Sequence, residues 1–351
     1  MSQVKANSFT DASGGSNAVL YGVAAPPNSM GFRNRIINGD MRIDQRNGGA
    51  SVTVNGAAVY TVDRWQAHDE TDGAYTVQQS STTPAGFVKS LLFTVTSADA
   101  SLGASQYAFF TQPIEGFNVA DLGWGTANAQ AITISFWVRS SLTGTFGGTL
   151  RNGSGSRSYP FTYTISSANT FEYKTVTIAG DTTGTWETTN LTGIFLSFGL
   201  GVGSTFSGTA GAWTTGNFLS ATGATSVVAT SGATFYITGV QLEAGSVATP
   251  FERRPYGTEL ALCQRYYWTP NPSNLFASTT STGAGITYYS DYVYPVTMRA
   301  APTVSLSSFS NALSGNASVN DAGASRTRFM ASTTGAGTAY SVFSATFSSE
   351  L

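Results

Sequence analysis

Few residues in this chain of 351 could carry out acid–base catalysis. Its only histidine is His68, so a Ser-His-Asp triad would have to use that imidazole. The surrounding sequence RWQAHDETDG places His68 where a strand runs into an acidic turn, and a lone histidine at a turn is more often solvated than catalytic. No nucleophile-elbow, zinc-protease or phosphate-loop motif occurs in the sequence. We therefore expect a protein that is not an enzyme.

Glycan cleavage is the enzymatic alternative, and it needs two carboxylates that face each other across a groove. The candidates are Asp69, Glu70, Asp72, Glu115, Asp121, Glu172 and Glu187. Their spacing does not single out a pair, and the sequence has no repeat of the kind that builds a parallel β-helix. A glycan-cleaving protein stays an alternative that the sequence does not favour.

The acidic turn DETDG is the one candidate metal site. It brings Asp69, Glu70 and Asp72 together within four residues, and oxygen ligands on one loop suit Ca²⁺. The turn lacks EF-hand spacing, and the simpler interpretation is a solvated acidic turn. The single cysteine, Cys263, excludes an intrachain disulfide and a cysteine-based metal site. Apart from this candidate calcium, we expect no cofactor.

Aromatic side chains could instead stack on sugar rings. The densest cluster is TYYSDYVYP, which contains Tyr288, Tyr289, Asp291, Tyr292 and Tyr294. On a strand, three of the four rings share one face, although packing in a trimer interface or on the sandwich is the simpler interpretation. Trp213 lies in a glycine-rich stretch, residues 208–227, that we predict to be a long loop. It is the better candidate for an exposed ring that needs a partner.

Composition excludes two classes of partner. The chain has 17 Lys and Arg against 19 Asp and Glu, for a net charge of −2. Without a basic surplus we expect no nucleic-acid binding, and no apolar run is long enough to predict membrane insertion. The N-terminus shows no secretion signal, so we expect the protein to be synthesised in a cytoplasm. If it acts outside the cell, we expect it to leave by a route other than signal-dependent secretion.

The elements that would position these residues are mostly strands. In ITISFWVRS, Ile132, Ile134, Phe136 and Val138 alternate with polar residues and Trp137, which predicts one buried face. About ten such strands separated by Gly-, Asn- and Ser-rich turns predict an all-β, antiparallel jelly-roll β-sandwich over residues 35–255. Residues 270–351 predict a smaller C-terminal β domain, which ends in the strand AYSVFSATFSS.

Two further segments flank the sandwich. Residues 1–34 are polar, and we interpret them either as a disordered tail or as an extended arm that orders against a partner. The arm's candidate anchors include Phe9, Leu20, Tyr21 and Phe32. At the other end, GTELALCQRYYW predicts a connecting helix within residues 256–269. The apolar stripe of this helix, with Tyr266 and Tyr267, would dock the C-terminal part on the jelly roll.

Charge gathers in QLEAGSVATPFERRP, residues 241–255, between a strand and this helix. Prolines at 250 and 255 end the strand pairing. The charged residues are Glu243, Glu252, Arg253 and Arg254. We predict that they form ion pairs with one another or with Glu259, within a chain or between chains, and orient the joint between the two β domains.

Six blocks of this sequence, in order, carry a resemblance to a known family. They are NRIINGDMRIDQRN, YTVDRWQ, FTQPIEG, ITISFWVRSS, FYITGVQLEAGSVATPFERRPYGTELALCQRYYW and YPVTMRAAPTV. Together they resemble tail-fibre and appendage proteins of tailed bacteriophages, whose jelly roll is similar to carbohydrate-binding modules. The resemblance covers residues 33 to about 305 and leaves both ends unmatched.

The resemblance implies a homotrimeric fibre in the virion tail that binds host-surface polysaccharide. The N-terminal arm would attach it to a tail adaptor or baseplate protein, and the C-terminal β domain would form a tip or second collar. Jelly rolls of this kind often hold a structural calcium, which would fit the acidic turn. The alternatives are a glycan-cleaving tailspike, or a collar, baseplate or decoration component that contacts no receptor.

Overall fold

The computed structural model describes residues 32–351, except Ala57 and residues 271–273, together with a short strand pair at Val19–Leu20 (β1) and Val23–Ala24 (β2). The side chains of residues 19–24 and 274–276 lie outside this description. In the described part, the protein is nearly all β, with one α-helix. No helix there is long and apolar enough to span a bilayer.

Two antiparallel sheets form the larger unit, which we call the body sandwich. Its strands are Val52–Val54 (β3), Val59–Tyr60 (β4), Gln66–Asp69 (β5), Ala74–Ser80 (β6), Ser90–Ser97 (β7), Tyr107–Glu115 (β8), Ile132–Ser140 (β9), Gly144–Asn152 (β10), Arg157–Ile165 (β11), Glu172–Ile178 (β12), Thr192–Val202 (β13), Ser207–Gly208 (β14), Thr214–Thr215 (β15), Ser220–Ala221 (β16) and Thr234–Ala244 (β17). The seven-stranded sheet has the order β15-β11-β10-β13-β8-β5-β4, and the six-stranded sheet has the order β12-β9-β17-β7-β6-β3. The remaining two strands, β14 and β16, form a separate parallel pair. Strands far apart in sequence pair near the middle of each sheet, β13 with β8 and β17 with β7, as in a jelly roll.

Alternating side chains build the core between these sheets. Ile132, Ile134, Phe136 and Val138 have no exposed surface, as the period-two pattern of β9 predicted. Phenylalanines from both sheets meet them there, and the rings of Phe110 and Phe198 stack with centroids 5.1 Å apart. The long connection predicted at residues 208–227 carries only the two-residue strands β14, β15 and β16. It folds along the edge of the seven-stranded sheet, where β15 pairs with β11.

The segment RIINGDMRIDQR contains no strand, since residues 32–51 are bends, turns and irregular chain. The amides of Ile37 and Asn38 donate to the side chains of Gln112 and Glu259. Among the described residues, backbone contact with a strand is limited to two hydrogen bonds with β17, from the Arg35 amide to the Leu242 carbonyl and from the Val240 amide to the Gly39 carbonyl. Asn38 has φ 56°, and its side chain closes the turn by hydrogen bonds to later backbone groups. Side chains distant in sequence therefore take the place of most of a β-ladder here.

Helix α1, Tyr256–Gln264, leads from the body sandwich to a second sandwich. The predicted helix was too long at its C-terminal end, because Tyr267–Trp268 forms a strand (β18) that pairs with Phe347 and Ser348. The remaining strands are Asn274–Ser281 (β19), Thr287–Val293 (β20), Thr303–Ala312 (β21), Ser318–Ala322 (β22), Arg326–Ser332 (β23) and Gly337–Ser348 (β24). β18, β19 and β21 all pair with β24, while β20, β23 and β22 form a three-stranded sheet. We call this unit the C-terminal sandwich.

Candidate functional site

A groove of about 350 Å³ lies on the outer face of the seven-stranded sheet. Strands β5, β8, β10 and β13 form its floor, and the connection between β13 and β17 supplies one wall. The lining residues are Gln66, His68, Tyr107, Phe109, Thr111, Arg151, Phe195, Phe206, Asn217, Leu219 and Leu351. We call this site the sheet groove.

Strand alternation produces the floor of the sheet groove. On β8, Ala108 and Phe110 point into the core, so Tyr107, Phe109 and Thr111 point outward. On the neighbouring strands, outward-facing Arg151 and Phe195 follow the same rule. Because β8 and β13 are central strands paired directly to each other, side chains far apart in sequence meet at one surface.

The aromatic rings of the sheet groove are held in fixed orientations. The His68 imidazole stacks on Phe109 with centroids 4.4 Å apart and planes 5° from parallel. Tyr107 meets Phe206 edge-to-face at 5.3 Å. Such rings give rigid apolar surfaces of the size of a sugar ring, at little entropic cost on binding.

Arg151 supplies the positive charge of the sheet groove, with 8% of its surface exposed. Its guanidinium lies 5.0 Å from the Phe195 ring centroid and 5.9 Å from that of Phe109. One Nη1–H donates to Asn217 Oδ1 at 2.5 Å. Burial lowers the pKa of Arg151 to about 10, so the side chain still carries its charge at neutral pH.

His68 is neutral in this setting. Burial, with a smaller contribution from the positive charge of Arg151, lowers the pKa of His68 to about 4. Its Nε2 lies 3.3 Å from Gln66 Oε1. The polar groups around Arg151 are thus an amide, a hydroxyl and a neutral imidazole, which can exchange hydrogen bonds with ligand hydroxyls.

Sequence reasoning did not find the sheet groove. Its residues come from four strands and a connection, and each strand separately looks like any strand with one buried face. The available signal was aromatic residues at outward positions, as in QYAFFTQP, where Tyr107 and Phe109 alternate with the buried Phe110.

The tyrosines predicted as a sugar platform on β20 do not form one. Tyr288, Tyr292 and Tyr294 pack on the core of the C-terminal sandwich, and the first and last are 6% and 5% exposed. Their alternation was right, but the shared face points inward. Tyr289 and Asp291 occupy the opposite, exposed face, where Asp291 forms ion pairs with two arginines of β23.

Trp213 is not a free ring on a loop. Its Nε1–H donates to Ala179 O at 2.7 Å. Its ring meets the rings of Trp124, Trp186 and Tyr159 edge-to-face, each with centroids 5.3 Å apart. Trp124 and Trp186 also meet each other edge-to-face, at 4.7 Å. Trp213 is half-buried and borders a separate cavity of about 420 Å³. The cluster gives the ring the partners that the sequence suggested it lacked.

The residues of the predicted calcium site do not converge. Asp69 is 2% exposed, and its Oδ1 accepts hydrogen bonds from the Thr71 amide and hydroxyl. Asp72 donates its amide to Asp99, and Glu70 is exposed. Across the described residues, no group of three or more His, Cys, Asp or Glu could hold a metal ion. The turn is stabilised by its own hydroxyl and amide groups instead.

The two adjacent arginines of the charged stretch have different environments. Arg254 is 6% exposed and lies 3.3 Å from a carboxylate oxygen of both Glu252 and Glu259. Arg253 is exposed and lies over the Phe87 ring, 4.7 Å from its centroid. Glu243 accepts hydrogen bonds from Gln241 and from Thr249, not from an arginine. The predicted ion pairs therefore form within the chain and involve only one of the arginines.

Tyr266 and Tyr267 lie where the two sandwiches meet. The Tyr266 hydroxyl donates to Glu115 Oε2 at 2.6 Å, and the Arg64 guanidinium lies 3.6 Å from the ring centroid. Arg46 lies 3.6 Å from the centroid of Tyr267. Arg64 also forms an ion pair with Glu350 near the end of the C-terminal sandwich.

Little of the predicted attachment arm can be compared with the structure. Phe9 and Tyr21 lie outside the described residues, as does the side chain of Leu20, whose backbone pairs with Val23. Phe32 is 54% exposed, and the guanidinium of Arg254 lies 4.9 Å from its ring centroid.

The chain matches no family model and no curated protein. Among solved structures it is similar to the enzymatically active domain of tailspike protein 4 of bacteriophage CBA120, at 12% identity and TM-score 0.30, over 60% of this chain and 21% of that one. A putative sugar binding protein from Bacteroides thetaiotaomicron has 13% identity and TM-score 0.35, over 61% of this chain and 100% of that one. The family 11 carbohydrate-binding module from Clostridium thermocellum has 11% identity and TM-score 0.29, over 58% and 100%.

These likenesses are weak, because every identity is below 25% and every TM-score below 0.5. They add no argument about activity or ligand. The chain is an antiparallel β-sandwich whose structural neighbours are carbohydrate-binding modules and a tailspike domain.

Proposed function

We propose that this protein binds a host-surface polysaccharide in the sheet groove. The observation that carries the proposal is the combination of rigid aromatic rings with neutral hydrogen-bonding groups in one open groove. A sugar ring presents an apolar face and peripheral hydroxyls, and this lining matches both. Binding without cleavage is part of the proposal, since it requires none of the paired carboxylates that glycan hydrolysis needs.

The assembly that we propose around this site is a homotrimeric tail fibre in the virion of a tailed phage. Support comes from the six sequence blocks described above. Three rigidly held copies of a weak groove would raise the effective concentration of binding sites at a cell surface. The N-terminal arm would join the fibre to a tail adaptor or baseplate protein.

A binding measurement with one matched pair of variants tests the groove. Tyr107→Ala removes an aromatic wall of the sheet groove, whereas Tyr173→Ala removes an exposed tyrosine from the six-stranded sheet. On an array of bacterial saccharides, we expect Tyr107→Ala to lose about 10-fold or more in affinity, since a ring stacked on a ligand contributes about 1–3 kcal/mol. Tyr173→Ala should bind as the unmodified protein does.

Three outcomes would contradict the proposal. Equal binding by both variants would place any glycan site elsewhere, and absence of saccharide binding would favour a collar or adaptor role. Release of reducing ends from a bound polysaccharide would favour the glycan-cleaving alternative. Independently, sedimentation should give three times the chain mass of 36.6 kDa, and a monomer would exclude the trimer.

A further inference from the structure

Arg151 differs from the other buried arginines in lacking a counter-ion. Three arginines are less than 9% exposed in the described part of the chain: Arg64, Arg151 and Arg254. Arg64 forms an ion pair with Glu350, and Arg254 with Glu259. No described carboxylate forms an ion pair with Arg151. Its buried Nε has no hydrogen-bond partner among the described residues, which is also true of Arg64 and Arg254, so the missing counter-ion is what sets Arg151 apart.

Holding an unpaired guanidinium in this position is unfavourable. Removing a charge from water destabilises a protein unless opposite charge or hydrogen bonds compensate. The faces of Phe109 and Phe195 and the amide oxygen of Asn217 compensate in part. The lowered pKa of Arg151 is consistent with incomplete compensation.

The surroundings of Arg151 leave its charge as the dominant one in the sheet groove. Gln66, Thr111 and Asn217 carry no charge, and His68 is neutral at neutral pH. Burial, with a smaller contribution from the charge of Glu70, raises the pKa of Tyr107, yet Glu70 forms no ion pair with Arg151. An anion that entered the groove would therefore meet a cation already placed on its floor, at low local dielectric constant.

We propose that the sheet groove selects acidic saccharides, with a sugar carboxylate acting as the counter-ion of Arg151. The planar guanidinium suits a carboxylate because two N–H groups can donate to its two oxygens. The sugar ring of the same residue would lie against the aromatic walls. This inference rests on the proposed glycan binding and specifies the class of saccharide.

The test uses pairs of saccharides that differ only in one carboxylate, such as glucuronate- and glucose-containing oligosaccharides, on the array used above. The variant is Arg151→Met, which keeps the aliphatic stem, and its matched control is Arg139→Met. Arg139 also lies over aromatic rings, Tyr236 and Phe171, but on the six-stranded sheet. We expect the unmodified protein to bind the carboxylated member of each pair. Arg151→Met should lose about 10- to 100-fold in affinity for these saccharides, and Arg139→Met should bind them unchanged.

Two further measurements keep the inference testable if Arg151→Met does not fold. Arg151→Lys retains the charge and should restore part of the affinity, since an ammonium lacks the planar fork. Binding by the unmodified protein should also weaken as salt is raised, because salt screens charge attraction.

The outcomes separate this inference from the proposed function. If neutral saccharides bind, and this binding is lost in Tyr107→Ala but unchanged in Arg151→Met, the acidic specificity is overturned while the proposed glycan binding in the groove stands. Salt-independent binding would overturn the acidic specificity as well. An array that retains no saccharide would overturn both proposals.

Discussion

Replacing Arg254 tests the interpretation of the charged stretch as a buried intrachain joint. Arg254→Met removes the guanidinium but keeps the stem. It leaves Glu259, 5% exposed, without its cation, and it leaves the carbonyls of Ile36 and Asn34 without a donor. Helix α1 and the segment around Asn34 both lose their common partner.

The magnitude follows from these contacts. Breaking a buried ion pair by removing one partner destabilises a protein by about 3–5 kcal/mol. Glu259 keeps one hydrogen bond, from the Asn38 amide at 2.5 Å, so we expect the lower part of that range. The neighbouring Arg253 is the matched control. It is exposed over Phe87, and losing such a cation–π contact costs about 0.5–1 kcal/mol.

Urea unfolding followed by tryptophan fluorescence measures both variants. We expect Arg254→Met to lower the free energy of unfolding by about 3 kcal/mol and Arg253→Met by at most about 1 kcal/mol. Adding Glu259→Gln to Arg254→Met should recover part of the loss, because the unpaired charge is then removed. Equal effects of the two arginine variants, or no recovery in the double variant, would refute this account of the joint.

Two further predictions concern single side chains. Tyr288→Ala removes a ring from the C-terminal core and the hydroxyl contact with Ser314 at 2.6 Å, and should destabilise the protein by about 3–5 kcal/mol. Tyr289→Ala on the exposed face should change stability by about 0.5 kcal/mol or less. If calorimetric unfolding shows a larger destabilisation in Tyr289→Ala than in Tyr288→Ala, the assignment of Tyr288 to the buried face of β20 is wrong. The folded-state pKa of His68, about 4, lies below its ordinary 6.5, so the unfolded chain binds more protons between these values and stability is lost as pH falls from 6.5 toward 4, by about 2–3 kcal/mol. The difference in unfolding free energy between the unmodified protein and His68→Gln should show this loss below pH 6.5 and stay constant above pH 7, where the imidazole is neutral in both the folded and the unfolded chain. Burial raises the pKa of Asp63 to about 6, but both proteins contain Asp63, so its contribution cancels in the difference. A difference independent of pH would refute the buried neutral imidazole.

Local sequence was sufficient for the β class of the protein and for the buried faces of its most regular strands. In β9, alternation identified Ile132, Ile134, Phe136 and Val138 as a buried face, although Thr133 and Ser135 on the opposite face are buried as well. The reason is that a strand turns successive side chains to opposite faces whatever its neighbours are. The prolines of QLEAGSVATPFERRP did not mark the end of strand pairing, because β17 already ends at Ala244, before Gly245 with φ 110° and before Pro250.

Alternation could not say which face of a polar and aromatic strand is buried. Along β20 and the residue after Val293, it grouped Tyr288 with Tyr292 and Tyr294 correctly, but only packing against Phe329 and Phe343 placed that face inside. It likewise could not distinguish Arg253 from Arg254. The backbone turns one of them toward Glu259 and the other toward Phe87.

The sheet groove depended on tertiary structure entirely. Phe109, Arg151 and Phe195 come from three strands, and their meeting requires the order β10-β13-β8. That order is set by which strands pair across the whole chain, and no segment contains this information by itself. The sequence determined that this protein is a sandwich with an ordered joint, while long-range strand pairing decided where a ligand could bind and left Arg151 without a counter-ion there.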